Sequence, residues 1–82
     1  MSLKKTDIVN FLKKKIFGKK IPKNYLSMNI EKVSTMDSLK IFKLIIEIEA
    51  KYKMKLSDKD IFSKSFKDIS GITNIIYKKI KK

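Results

Sequence analysis

Three stretches of apolar residues at helical spacing predict an all-α fold, a bundle of three main helices with one short helix and a long loop between helices one and two. The clearest runs from Ser38 to Tyr52, where Leu39, Phe42, Ile45, Ile46, Glu49 and Tyr52 form one set of positions and Ile41, Leu44 and Ile48 widen it. The other two are Ile8-Phe11-Leu12-Ile16 near the start and Phe66-Ile69-Ile72-Ile76-Ile80 at the end. With 82 residues the chain forms one domain with a small core, because a chain this short buries a modest share of its surface.

The first helix is predicted over about residues 7–17, with Thr6 as N-cap, Asp7 against the positive end of the helix dipole and Gly18 as C-cap. Residues 18–36 show no sustained period. They contain Pro22 and the turn-prone pairs Lys23-Asn24 and Ser34-Thr35, with Ile21, Tyr25, Leu26, Met28, Ile30 and Val33 spaced to pack down onto the bundle. A loop this long in so small a domain is unusual and tends to be functional. The second helix, apolar over more than half its circumference, is expected to be the central and most buried one. A short helical segment follows around Asp60–Phe62, then a last helix from about Ser65, as N-cap, to Ile80. Gly71 weakens the interior of that helix by roughly 1 kcal/mol relative to alanine.

Composition removes several function classes. The absence of cysteine excludes disulfides and thiolate metal sites, and the absence of histidine removes the commonest general base and metal ligand. The chain is therefore expected not to be an enzyme, and no metal site is expected. No apolar run is long enough for a signal core or a membrane span, so a cytoplasmic location is expected. The net charge of +13 invites a nucleic-acid or membrane-surface reading. Its distribution argues otherwise. Residues 1–23 hold eight lysines against one acid and residues 78–82 four lysines against none, whereas residues 24–77 are nearly balanced. All 21 basic residues are lysine, and arginine carries the planar fork that reads phosphates and base edges.

The chemistry-bearing motif is Asp37-Ser38-Leu39, where the long loop meets the second helix. It places a hydroxyl at a helix N-terminus, beside free backbone amides and a positive dipole end, with Lys40 adding to the local field. Taken alone, the same residues read as an ordinary helix cap.

Context extends the reading. The run Asp-Ser-Leu-Lys-Ile-Phe-Lys-Leu-Ile-Ile-Glu-Ile-Glu-Ala-Lys-Tyr (residues 37–52) resembles the segment around the prosthetic-group serine of acyl carrier proteins. Met54-Lys55-Leu56-Ser57-Asp58 resembles that family's apolar-x-apolar-Pro-Asp stretch with Ser57 for the proline, and Ser65-Phe66 matches the opening of its final helix. The resemblance covers about residues 33–80; the first helix and the long loop agree in length and character only. It implies a single carrier domain over residues 1–82 and an acyl-carrier-protein-like bundle. It further implies covalent attachment of 4′-phosphopantetheine to Ser38, with Asp37 and Leu39 completing the attachment motif, and acyl or aminoacyl cargo carried as a thioester. The implied partners are a phosphopantetheinyl transferase and the acyl-loading and acyl-transfer enzymes of a specialised fatty-acid or polyketide-type pathway. Leu39, Phe42, Ile46 and Phe66 are candidates for packing near the arm, or are simply core.

Two departures stand out. The family's Leu-Gly before the motif is replaced by Ser34-Thr35. Lys40 and Lys43 stand where its acidic partner-recognition face has acids, while Glu47 and Glu49 remain. Lys40, Lys43 and Glu47 are therefore the candidate partner-docking residues, and dedicated partners are expected, since charge reversal at an interface rim alters encounter rate and partner choice. A monomer is expected. The alternative is a basic helical nucleic-acid-binding module, against which stand the missing arginine and the near-neutral middle, so no specific nucleic acid is expected. A lysine-rich first helix and tail touching an anionic membrane is a third reading, but the helix's other face is needed for the core, so membrane contact is not expected.

Overall fold

The computed structural model describes residues 4–33 and 36–80. Helices α1 (Lys5–Phe17), α2 (Ser38–Tyr52), α3 (Asp58–Ile61) and α4 (Ile69–Ile80) are joined by loops, with a 3₁₀ turn at Ile30–Lys32, and no strand occurs among the described residues. This is the all-helical architecture the spacing predicts. The Ser34-Thr35 pair lies outside the described residues.

α1 starts before Thr6. The Asp7 carboxylate accepts from the Lys4 amide at 3.2 Å, so the first turn closes two residues earlier than predicted and Thr6 is inside the helix. Gly18 ends it at φ +66°, the left-handed region glycine enters without steric cost. Ile8, Leu12 and Ile16, spaced by four, put one face of α1 into the core.

Opposite them stand Ile69, Ile72 and Ile76 of α4, all fully buried, and α1 and α4 pack along one another. Lys5 lies over the Tyr77 ring at 5.2 Å, which sets the N-terminal end of α1 against the C-terminal end of α4. Lys15 pairs with Glu47 while Phe11 meets Tyr52 edge-on at 5.8 Å, so α1 also runs antiparallel to α2.

The centre of the core is thus the α1–α4 pair, not α2 as its apolar breadth suggests. α2 buries Leu44, Ile45 and Ile48, with Ile41 and Tyr52 half-buried beside them, and turns its remaining apolar residues outward. A helix apolar over more than half its surface can be wet on one side, because the core occupies a single arc of it.

The last helix also differs from expectation. Ser65 and Phe66 sit in a turn, and α4 begins at Ile69, capped by the Asp68 carboxylate, which accepts from the Gly71 amide at 2.7 Å. Gly71 lies in the first turn rather than mid-helix, and the chain folds back so closely that a Cβ there would collide with the Ser65 carbonyl.

The long loop is held by main-chain bonds. The Ile30 amide donates to the Lys67 carbonyl at 2.7 Å and the Ser70 amide to the Leu26 carbonyl at 3.1 Å, which ties the loop to the α3–α4 connection and the first turn of α4. Ile30 and Met36 are its buried side chains, Tyr25 and Val33 pack partly against the core, and Ile21 and Leu26 are exposed.

Candidate functional site

The site is built at the N-terminal end of α2. Asp37 is the N-cap in extended backbone, and its Oδ1 accepts from the Lys40 amide at 2.9 Å. Ser38 is the first helical residue and is exposed. Its hydroxyl therefore stands at the helix end where first-turn amides point outward and the dipole is positive. The cap reading of the motif belongs to Asp37, which leaves the Ser38 hydroxyl available for another role.

Beside Ser38 opens a cavity of about 590 Å³. Met36, Asp37 and Ser38 form its edge, Ile41, Phe42 and Ile45 of α2 one wall, and Ile61, Phe62 and Phe66 another. Ile30 and Glu31 of the 3₁₀ turn complete it. The volume is in the range of small-molecule sites, and the lining is mainly apolar with polar groups confined to a few positions. The long loop, pinned at Ile30 by Lys67, supplies part of the cavity wall.

The predicted residues separate into distinct positions. Leu39 follows Ser38 and is 64% exposed; Phe42 and Ile46 are 60% and 49% exposed, so none of the three is core. Phe42 lines the cavity, as does Phe66, which is buried. Lys40 and Lys43 are exposed on α2. Glu47 is also exposed, and its carboxylate pairs with Lys15 Nζ of α1 at 2.6 Å. The other acid of α2, Glu49, accepts from the Leu56 amide at 2.8 Å and so closes the turn after the helix.

Several residues at the site were not singled out from the sequence, Met36 and Phe62 among them. Met36 is buried at the cavity edge, and Phe62, 83% exposed, stands on its wall. Neither belongs to a sustained periodic pattern. The signal for Phe62 was the short Asp60–Phe62 segment itself, an aromatic residue directly after a capped turn. In that turn the Ser57 hydroxyl accepts from the Asp60 amide, while the Asp60 carboxylate accepts from the Ser57 amide and hydroxyl.

No family model, curated protein or solved structure matches this chain. Among the described residues no helix is long and apolar enough to cross a membrane, and no group of three or more His, Cys, Asp or Glu is placed to hold a metal ion.

Proposed function

We propose that the protein is an acyl carrier, bearing acyl or aminoacyl groups on a 4′-phosphopantetheine arm attached through phosphate to Ser38, in a specialised fatty-acid or polyketide-type pathway. The observation that carries the reading is the conjunction at Ser38: an exposed hydroxyl in the first turn of a helix, opening onto an apolar cavity. The residue types fit such an arm. A phosphodiester on Ser38 sits at the positive end of α2, with the Lys40 charge two residues on, and Asp37 is already committed to its cap. The group supplies a terminal thiol that holds cargo as a thioester.

The chain's own residues do the positioning. Asp37 fixes the start of α2 and so the direction in which Ser38 projects. Ile41, Ile45 and Phe66 give the cavity an apolar floor against which an acyl chain is shielded from water. Chemistry on the cargo belongs to partner enzymes: a phosphopantetheinyl transferase for attachment, then loading and transfer enzymes. A cytoplasmic monomer is the corresponding cellular form.

Co-expression with phosphopantetheinyl transferases of differing specificity, followed by intact-mass measurement, tests the proposal. The expected result is a single adduct of phosphopantetheine mass that is lost in Ser38→Ala. Absence of any adduct with several transferases, or an adduct that survives Ser38→Ala, overturns it.

A further inference from the structure

The side of α2 that starts at Ser38 carries more apolar surface than the core uses. Leu39, Phe42 and Ile46 follow at spacings of three and four, hence on one face, and all are about half exposed or more. Phe42 shares the cavity lining with Phe62, the most exposed large apolar side chain in the described chain. Single exposed apolar residues are ordinary on a protein surface; three in a ridge on one helix face, with a fourth across the cavity that Phe42 lines, mark an interaction site.

The charged side chains along this ridge that have no partner among the described residues are lysines. Both acids of α2 are engaged, Glu47 by Lys15 and Glu49 by the Leu56 amide, and Asp37 is held by the Lys40 amide. Lys40 and Lys43 are exposed and take part in no ion pair among the described residues. The further carboxylate at the cavity, Glu31, is on the wall formed by the 3₁₀ turn rather than by α2.

We propose that this ridge docks a protein partner whose surface is an apolar groove bordered by Asp and Glu. The groove takes Leu39, Phe42 and Ile46 as anchors at helix-in-groove spacing, and its acidic border meets Lys40 and Lys43. A second copy of this chain is a poor occupant, since at a net charge of +13 it brings lysine against lysine. The choice of a protein over a lipid surface rests on the carrier reading. A ridge pressed into a bilayer would hold Ser38 at the lipid boundary, whereas a protein groove delivers Ser38 to the partner.

The unmodified full chain suffices for the test, so its outcome is independent of whether Ser38 accepts an arm. The probe is a synthetic amphipathic helix with leucine and phenylalanine on one face and glutamate along both borders, compared with its counterpart carrying lysine for each glutamate. Backbone NMR shifts on titration are expected to concentrate in residues 38–47 and at Phe62. The acidic probe is expected to bind at least about tenfold more tightly than the basic one. Lys40→Glu with Lys43→Glu should reverse that preference, and Phe42→Ser with Ile46→Ser should abolish binding. Lys19→Glu with Lys20→Glu, which changes net charge equally, should alter neither. The proposal is overturned if both charge reversals weaken acidic-probe binding alike, or if the shifts spread over α1 and the chain ends. It is equally overturned if neither probe binds while anionic phosphatidylglycerol vesicles sediment the protein and the Phe42→Ser, Ile46→Ser variant releases it.

Discussion

Replacing Asp37 with alanine or asparagine separates its hydrogen-bonding role at the start of α2 from the effect of its charge. The alanine variant loses the acceptor for the Lys40 amide, a 2.9 Å bond at the first turn of α2, and loses a negative charge at the positive end of the helix. An N-cap removed in this way costs about 1 kcal/mol. Asparagine keeps an acceptor of the same reach and gives up only the charge, which at an exposed helix end contributes roughly 0.3–1 kcal/mol. Asp37→Ala should therefore be the less stable of the two. In a domain of this size about 1 kcal/mol corresponds to roughly 4–8 °C in Tm, well within the resolution of thermal unfolding followed by circular dichroism.

Loading of Ser38 by a transferase supplies the second readout. If the Asp37 carboxylate also serves as a handle for the metal-bound nucleotide that delivers the arm, both variants lose loading rate to a similar degree despite their different stabilities. Should Asp37→Asn load as fast as the parent chain while Asp37→Ala is slow, the residue is a cap alone. Equal stability of the two variants, or an Asp37→Ala Tm indistinguishable from that of the parent, would refute the capping argument itself.

Four further outcomes follow from the packing. Gly71→Ala, which in an open helix would stabilise by about 1 kcal/mol, should here destabilise by about 1–3 kcal/mol in urea unfolding, because the new Cβ meets the Ser65 carbonyl. Burial, with the charge of Asp7 adding, pushes the Tyr52 hydroxyl above its ordinary pKa, and that hydroxyl has no hydrogen-bond partner among the described residues. A raised folded-state value contributes stability that is complete below the unfolded value of about 10 and lost as pH rises through the folded one. Tyr52→Phe should thus be neutral or stabilising at pH 7 and should flatten the alkaline limb of a Tm-against-pH curve. Thr73→Val, at a buried hydroxyl that likewise lacks a partner, should raise stability by about 1 kcal/mol in urea unfolding. The hydrogen bond from Lys79, followed by that from the Ser57 amide, holds Asp60 below the usual carboxylate range, a contribution present above the unfolded value of about 3.9 and lost as pH falls through the folded one. Lys79→Ala should cost less than about 1 kcal/mol at neutral pH, and its difference from the parent should vanish in acid unfolding at low pH.

The bounds of α2 were legible because cap, apolar period and length agree locally: Asp37 precedes Ser38, and the run ends at Tyr52 as predicted. Gly18 was legible for the same reason, a residue type tied to a backbone angle. The start of α4 was not. Ser65 and Asp68 are both acceptable caps, and what decides between them is the close return of the chain at Gly71 and the bond from Ser70 to Leu26, both tertiary. Which arc of α2 faces inward was equally hidden, since an apolar period wider than half a turn is compatible with more than one orientation. The engagement of Glu47 depends on Lys15, 32 positions earlier in the numbering, and no spacing rule within α2 reveals it. At the candidate site, Ser38 and Phe66 were legible from motif and resemblance, whereas Met36 and Phe62 became visible only once loop and α3 were placed around the cavity.

The division of labour within this small core bears on how the site is maintained. Ile8 and Leu12 of α1 and Ile69, Ile72 and Ile76 of α4 are fully buried, so truncating any of them removes packing at the centre, where large-to-small changes typically cost 2–5 kcal/mol. Leu39, Phe42, Ile46 and Phe62 are about half exposed or more, and the same truncations there forfeit only a fraction of the transfer free energy. A domain of 82 residues has a net stability of only a few kcal/mol, so it tolerates an open cavity and a wet apolar ridge only if cohesion comes from elsewhere. The α1–α4 pair, with Ile48 of α2 and Ile30 of the long loop fully buried beside it, supplies that cohesion. α2 is thereby left with one arc for the core and another, running from Ser38 past Phe42 to Ile46, that stays exposed.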